Sequence, residues 1–397
     1  MRMAAAAAVL LAGSAAGACA DHGGGTLPEP PVQPQAGPVR HRVAAGGESS
    51  CSLNTAGTLF CWGALNALFP AGSPPTWTPM QIQGVPAFAT ISASYGGSYD
   101  VFCALTAAGD LWCDRNGSQF YPLGAGTRWT TVDVGPVHGC ATAGDSTAWC
   151  FGASGEGELG VPGLASSAAP VRVAGGVRFT SVVTGRTWSC GVATSGAAYC
   201  WGQSRGGALG LGVGVIRSDT AAAVRGGLHF LRLSASKTGD HTCGITSQGD
   251  AYCWGAGEHG QLGDGAAGDS AWTPVLVRDG HTWMDIAAGF HQTCGVTTDH
   301  RAWCWGSDVA GERGTASGFG GPDQPTPALV GSGYAEIAAG GEIYLGGHGT
   351  SGILDQSHAC AIAQDETVRC WGGNGFGQLG NGSYQPSDRP VTALVPR

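Results

Sequence analysis

The sequence predicts an all-β propeller of four-stranded antiparallel blades, and three observations carry that expectation. Fourteen of the 15 cysteines fall into pairs ten positions apart: Cys51 with Cys61, Cys103 with Cys113, Cys140 with Cys150, Cys190 with Cys200, Cys243 with Cys253, Cys294 with Cys304, and Cys360 with Cys370. The composition, with 71 Gly in 397 residues and only 12% charged side chains, suits short strands joined by tight turns and disfavours long helices. Successive first cysteines lie 52, 37, 50, 53, 51 and 66 residues apart, the period of propeller blades and too irregular for a solenoid.

Each cysteine interval alternates and then turns at its middle. CGITSQGDAYC from Cys243, CSLNTAGTLFC from Cys51 and CGVATSGAAYC from Cys190 read as β-hairpins with short Gly-containing loops. A central turn brings the two cysteines opposite one another. Directly opposed residues have Cα atoms roughly 4.5 to 5.5 Å apart, within the window of about 4.4 to 6.8 Å that a disulfide needs. Zinc would require further ligands, and the residue two before the first cysteine is His at His138, His241 and His358 but Ser49, Val101, Trp188 or Gln292 elsewhere. A redox centre would appear once, as C-x-x-C, rather than at every repeat. Cross-strand disulfides in an oxidising compartment account for the count and the repetition. Each contributes up to about 3 kcal/mol in the chain-entropy description.

The longer unit is visible from Trp272 onward, WTPVLVRDGHTWMDIAAGFHQTCGVTTDHRAWCWGSDVAGERG: a Pro-Val strand, an IAAG strand, two cysteine strands and a Gly-rich loop. The loop resembles the WG-x-N-x-x-GQLG signature of the regulator of chromosome condensation repeat family. It stands as WGAGEHGQLGDG at Trp254 and WGGNGFGQLGNG at Trp371, and is degraded at Trp201, Phe151 and Trp305. The second repeat, LWCDRNGSQF, has lost it. The resemblance covers residues 39–397 and implies a seven-bladed propeller of a bacterial, exported variety. Its CWG tryptophans are expected to fill inter-blade core, and the histidines two before Cys to satisfy buried polar groups. Because the chain ends on a single Pro-Val strand and begins with the other three, Pro390 to Val395 is expected to pair with Arg42 to Gly46. That pairing would close the ring through the N-terminal blade and leave no open edge.

Ahead of the propeller, residues 1–19 carry one Arg, an Ala/Val/Leu stretch and small residues ending at Cys19, the layout of a secretory signal too short for a membrane span. Two cleavage readings stand: an A-x-A site at Ala16 and Ala18, or lipidation of Cys19 at a lipobox that lacks its upstream Leu. Cys19 is the cysteine left over by the pairing, which favours a lipid anchor. Residues 20–38, rich in Gly and Pro, form a mobile tether.

A formal charge of −9 and only 19 Lys and Arg argue against nucleic acid as a partner. No G-x-S-x-G, P-loop or H-E-x-x-H motif occurs, so neither enzyme activity nor a cofactor or metal is expected. Carboxylates converging on the propeller axis are the one catalytic arrangement that linear motifs would not reveal. With alternating strands, the loop between the IAAG strand and the first cysteine shares a face with the loop that leads from one repeat to the next. That first interval is five residues from Gly46, Gly135, Gly185 and Gly289, but seven from Ser236, nine from Ser94 and twenty from Gly340. Diversified loops on a rigid scaffold are where binding residues sit. The candidates are Tyr95, Tyr99, Trp188, Lys237, Asp240, Phe290, Glu342, Tyr344 and Leu345, with Asp100 and His348 beside them. The expected role is a monomeric exported scaffold in the cell envelope that binds a protein. Envelope polysaccharide is the alternative ligand, and guanine-nucleotide exchange on the small GTPase Ran, implied by the family's eukaryotic namesake, fits an exported acidic chain poorly.

Overall fold

The computed structural model describes residues 41–65, 76–95, 100–114, 119–204, 206–345 and 353–396. Each blade is one four-stranded antiparallel sheet built from consecutive strands, and the blades occupy residues 43–81, 88–123, 129–172, 179–223, 230–276, 283–332 and 334–392. The second and third strands of every blade are the cysteine hairpin. Its two cysteines are register partners in all seven. All seven disulfides form, with Cα separations of 4.0 to 4.1 Å. This is closer than expected and belongs with the tighter, non-hydrogen-bonded kind of antiparallel pair.

The phase of the repeat differs from the expected one. The IAAG segment is the first and innermost strand, and seven such strands surround the axis, lined by small side chains such as Ala44, Ala93, Ala235, Ala287 and Ala338. Convergence at the axis explains the alanines. At the strand end, a Cβ on Gly340 would lie 2.2 Å from the Gly46 carbonyl of the adjoining blade. The Pro-Val segment is the fourth, outermost strand of the same blade. It contains Pro79, Pro122, Pro170, Pro274, Pro325 with Pro327, and Pro390 in six of the seven blades, and proline, with no N–H to donate, belongs on an edge.

This phase changes how the ring closes. The last strand, Ser387–Thr392, pairs with Val368–Gly372 of its own blade, with Cys370 opposite Val391, while Val43–Ala45 pairs with Ser49–Leu53. Pro390 to Val395 therefore does not add to Arg42 to Gly46. Both terminal blades are complete from consecutive residues, so no strand has to be exchanged. The ends still meet. Ala393 and Val395 share a core cluster with Val43 and Trp62, Trp62 Nε1 donates to the Gln378 carbonyl at 2.7 Å, and Ser50 Oγ donates to the same oxygen at 3.0 Å.

That last contact recurs around the ring. Trp201, Trp254, Trp305 and Trp371 are fully buried and donate to Glu158, Ala208, Gln261 and Glu312 carbonyls of the preceding blade at 2.8 to 3.0 Å. The signature Gly of that preceding loop is in the left-handed region, and its missing Cβ is the space the indole fills, as at Gly263 against Trp305. Asp114 and Phe151 stand in the tryptophan's place in blades 2 and 3, the two blades whose preceding loops have no G-x-x-G segment, where the other five loops read GQLG, GELG, GALG or GERG. Tryptophan and glycine loop are thus two halves of one contact. Where the residue two before the first cysteine is a histidine, it completes the contact: His138, His241 and His358 bond Ser189, Thr293 and Ser50 of the neighbouring blade at 2.7 to 2.9 Å, as expected for buried polar groups.

Candidate functional site

One face carries the loops between first and second strands together with the signature loops between third and fourth strands. The connections from blade to blade run on the opposite face, beside the uniform hairpin turns. Thus Trp129 N, at the start of blade 3, donates to the Gly109 carbonyl of a turn in blade 2 at 2.9 Å. The longest insertion, after Gly340, is not a plain loop: Ile343–Leu345 pairs with Ile353–Asp355 as a separate two-stranded hairpin, and the backbone of Tyr344 and Leu345 lies in its first strand. Tyr99, His348 and Cys19, with the signal and tether segments, fall outside the described residues.

The candidate residues separate into three groups. Trp188 is buried completely, and its Nε1 donates to Thr242 Oγ1 of the next blade at 3.1 Å. It is a core residue, not a surface one, and it occupies the His138, His241 and His358 position two before a cysteine. That shared spacing was the available signal. Lys237 also turns inward. Its ammonium pairs with Asp133 and donates to the Thr184 carbonyl at 2.8 Å. Asp133 in turn accepts from Ser92 Oγ at 2.6 Å and Thr184 N at 2.7 Å, so four blades meet at one carboxylate beside the axis. Burial pulls the Lys237 ammonium below the usual lysine range.

Tyr95 and Glu342 stay on the loop face and hydrogen-bond each other. Two further carboxyl groups gather there, Asp100 and Glu48. Asp100 is buried and accepts from Gly47 N at 3.0 Å, from Glu48 N at 3.3 Å and from Ser49 Oγ. Burial raises Asp100 to about 6. Burial, then the charge of Asp100, raises Glu48 to about 7, and burial followed by the charges of Glu48 and Asp100 takes Glu342 to about 8. The same surroundings push the Tyr95 hydroxyl above its ordinary value. Sequence reasoning missed Glu48, because nothing linear joins it to positions near 100 and 342.

Asp240 and Phe290 belong to a second patch. The Phe290 ring stacks on His291 with centroids 3.7 Å apart, and His291 stacks on His259 at 4.2 Å, while His259 Nδ1 lies 3.1 Å from Asp323 Oδ2. Burial, then the charge of His259, lowers His291 to about 4. Asp240 is raised by burial, with Arg186 opposing and Glu258 adding to the shift. Among the described residues no group of three or more His, Cys, Asp or Glu is placed to hold a metal ion, and no helix is long and apolar enough to cross a membrane.

The signature loops contribute further buried acids, Glu158, Asp308 and Glu312. Glu312 holds the place of Gln261 and Gln378 and uses the same bond, accepting from Ala310 N at 2.7 Å where each glutamine accepts from its own loop N–H at 2.9 Å. Burial, then the charge of Asp355, raises its carboxyl above the usual range. The folded state holds this proton more tightly than the unfolded chain does, so stability falls as pH rises past the ordinary glutamate value. Glu312→Gln is expected to match the wild type at pH 4 and to exceed it at pH 8 by about 2 kcal/mol, read as a gap between melting curves that opens with pH. A gap independent of pH would refute the assignment.

Residues 248–296 and 356–378 match the model of the Regulator of chromosome condensation (RCC1) repeat. The mitochondrial RCC1 domain-containing protein RUG3 of Arabidopsis thaliana is 30% identical over 169 residues, 40% of this chain and 35% of that protein. The human E3 ubiquitin-protein ligase HERC2 is 29% identical over 201 residues, 39% of this chain and 4% of that protein. The chain therefore spans about a third of these curated relatives' length at most. Among solved structures, human WBSCR16 superposes with a TM-score of 0.69 at 16% identity, covering 89% of this chain and 94% of that one. Prp20p of Saccharomyces cerevisiae, with binding properties to Gsp1p and histones, gives 0.70 at 18%, covering 86% of each. Two segments of the chain thus match the RCC1 repeat, and its seven-bladed propeller is similar in fold to these solved structures.

Proposed function

We propose that this chain is an exported, non-catalytic scaffold that engages a protein partner through its loop face and is anchored by lipid at Cys19. One observation carries the reading: the hairpin turns of the opposite face keep one length in every blade, while the loop face gathers the extra hairpin, the three carboxyls around Tyr95 and the Phe290 stack. Solved propellers of this fold that bind proteins make such a role compatible with the scaffold, without specifying it.

The test places a photo-crosslinking residue either at the exposed Glu258 of the loop face or at the exposed Ala107 of a hairpin turn in cells that make the native chain. Glu258 is expected to yield one stoichiometric protein adduct and Ala107 none, and the same cells fed an alkyne fatty acid are expected to label the wild type and not Cys19→Ala. Adducts from Ala107 alone, or glycan-array binding without any protein adduct, would overturn partner binding by this face. Unlabelled wild-type chain would remove the anchor.

A further inference from the structure

Acidic side chains pair within the chain on both faces, on the loop face as Arg217 with Glu156 and Asp219 and as Arg313 with Asp308, and one loop-face group departs from this. On the hairpin face Arg42 bonds Glu336 at 2.8 Å and Glu366 at 2.5 Å, and Arg301 bonds Asp299 at 3.2 Å. On the loop face, where blades 7, 1 and 2 adjoin, Glu342, Glu48 and Asp100 meet with no Lys, Arg or His ion-paired to any of them among the described residues. Lys237 lines the same mouth of the channel beside Tyr95 and Gly46, but its ammonium is committed to Asp133 and Thr184.

Hydrogen-bond donors do not make up the deficit. Asp100 is the best served, with three. Glu342 is nine-tenths buried, at 9% exposure, and although Tyr95 donates to it, its Oε1 has no donor. No described residue donates to the Glu48 carboxylate. Glu342 feels the charge of both Glu48 and Asp100, and Glu48 feels that of Asp100, so the three lie close together. A buried, donor-poor carboxylate is costly, and at neutral pH a proton lowers that cost where a cation is missing.

We propose that the Glu48, Asp100 and Glu342 seam seats an arginine side chain of the partner protein, its guanidinium donating to the carboxylates and lying against the Tyr95 ring. Arginine fits better than lysine because a planar fork of five donors serves several acceptors at once and stacks on an aromatic face. The assignment rests on the loop face being the partner surface and specifies the partner's chemistry there: an exposed basic segment. Bound arginine favours the ionised carboxyls, so their protons leave on binding.

Blocked tri-arginine amide titrated into the full chain by calorimetry tests this, at pH 7 in two buffers of different ionisation enthalpy. Binding is expected with net release of protons, fading by pH 9.5 where the carboxyls are already ionised. Glu48→Gln with Glu342→Gln is expected to weaken binding by about tenfold or more and to abolish the release, while Asp264→Asn with Asp269→Asn on the same face leaves both within about twofold. Should the double glutamine variant fail to melt like wild type, Glu342→Gln alone serves. Absence of tri-arginine binding, unchanged affinity in the glutamine variant, or binding without proton release would each overturn the proposal. If Glu258 still crosslinks one protein when tri-arginine fails to bind, the seam assignment alone falls. If Glu258 captures no protein, the partner reading itself has failed.

Discussion

Gly263→Ala is expected to destabilise the propeller by about 3 kcal/mol or more, measured as a lower denaturant midpoint under non-reducing conditions. Gly263 has φ +74, and a Cβ there would stand 2.7 Å from Trp305 Nε1. The indole is fully buried and donates to the Gln261 carbonyl of the same loop at 2.9 Å. Alanine therefore adds left-handed strain, of order 1 kcal/mol, and also pushes the ring off its acceptor, leaving a buried N–H unpaired at about 1 to 3 kcal/mol. Gly280 supplies the control, since it has φ +71 but nothing within 4 Å of a Cβ. Gly280→Ala is expected to show the strain alone. Equal losses at the two positions would mean that the tryptophan contact contributes nothing beyond backbone conformation.

Lys237→Met is expected to cost up to about 3 kcal/mol, below the roughly 3 to 5 kcal/mol of stranding one partner of a fully buried ion pair, because both side chains are only partly buried. Asp133 would keep its bonds from Ser92 and Thr184 but lose the cation that balances it. Asp133→Asn is expected to be destabilising as well, and the double variant to recover part of the sum, because removing both charges leaves neither stranded. Strict additivity in unfolding midpoints would show that the pair does not act as a unit. The same variant separates structure from binding at a residue chosen from sequence as a contact: Lys237→Met protein that is still folded is expected to crosslink its partner from Glu258 as the wild type does. Lost crosslinking in folded protein would return Lys237 to the interface.

Most of the scaffold was legible because its signals are local. A hairpin is specified by alternation and a central turn within eleven residues, so the cysteine interval identified the register of all seven disulfides. The strand count followed from one repeat. The phase did not, since the order Pro-Val, IAAG, Cys, Cys is the same cyclic order wherever the blade is cut. The prolines held the missing information: a strand that carries one belongs at an edge, and the alanine-rich strand belongs at a crowded axis. Trp188 was misplaced for a related reason. Its aromatic character suggested a contact, while its register, shared with three histidines, marked it as core.

By itself, then, the sequence determined the seven stapled hairpins, the four-stranded repeat and the unequal loop lengths that single out one face, all consequences of chemistry within a few tens of residues. Tertiary structure alone decided which loop residues remain on that face. Lys237 reaches Asp133 across 104 positions, and the Glu48, Asp100 and Glu342 group joins blade 1 to blades 2 and 7. Such meetings are set by closure of the ring, which brings the first and last repeats into contact. Whether a carboxylate then finds a cation depends on burial and distance in three dimensions, and no linear spacing encodes either.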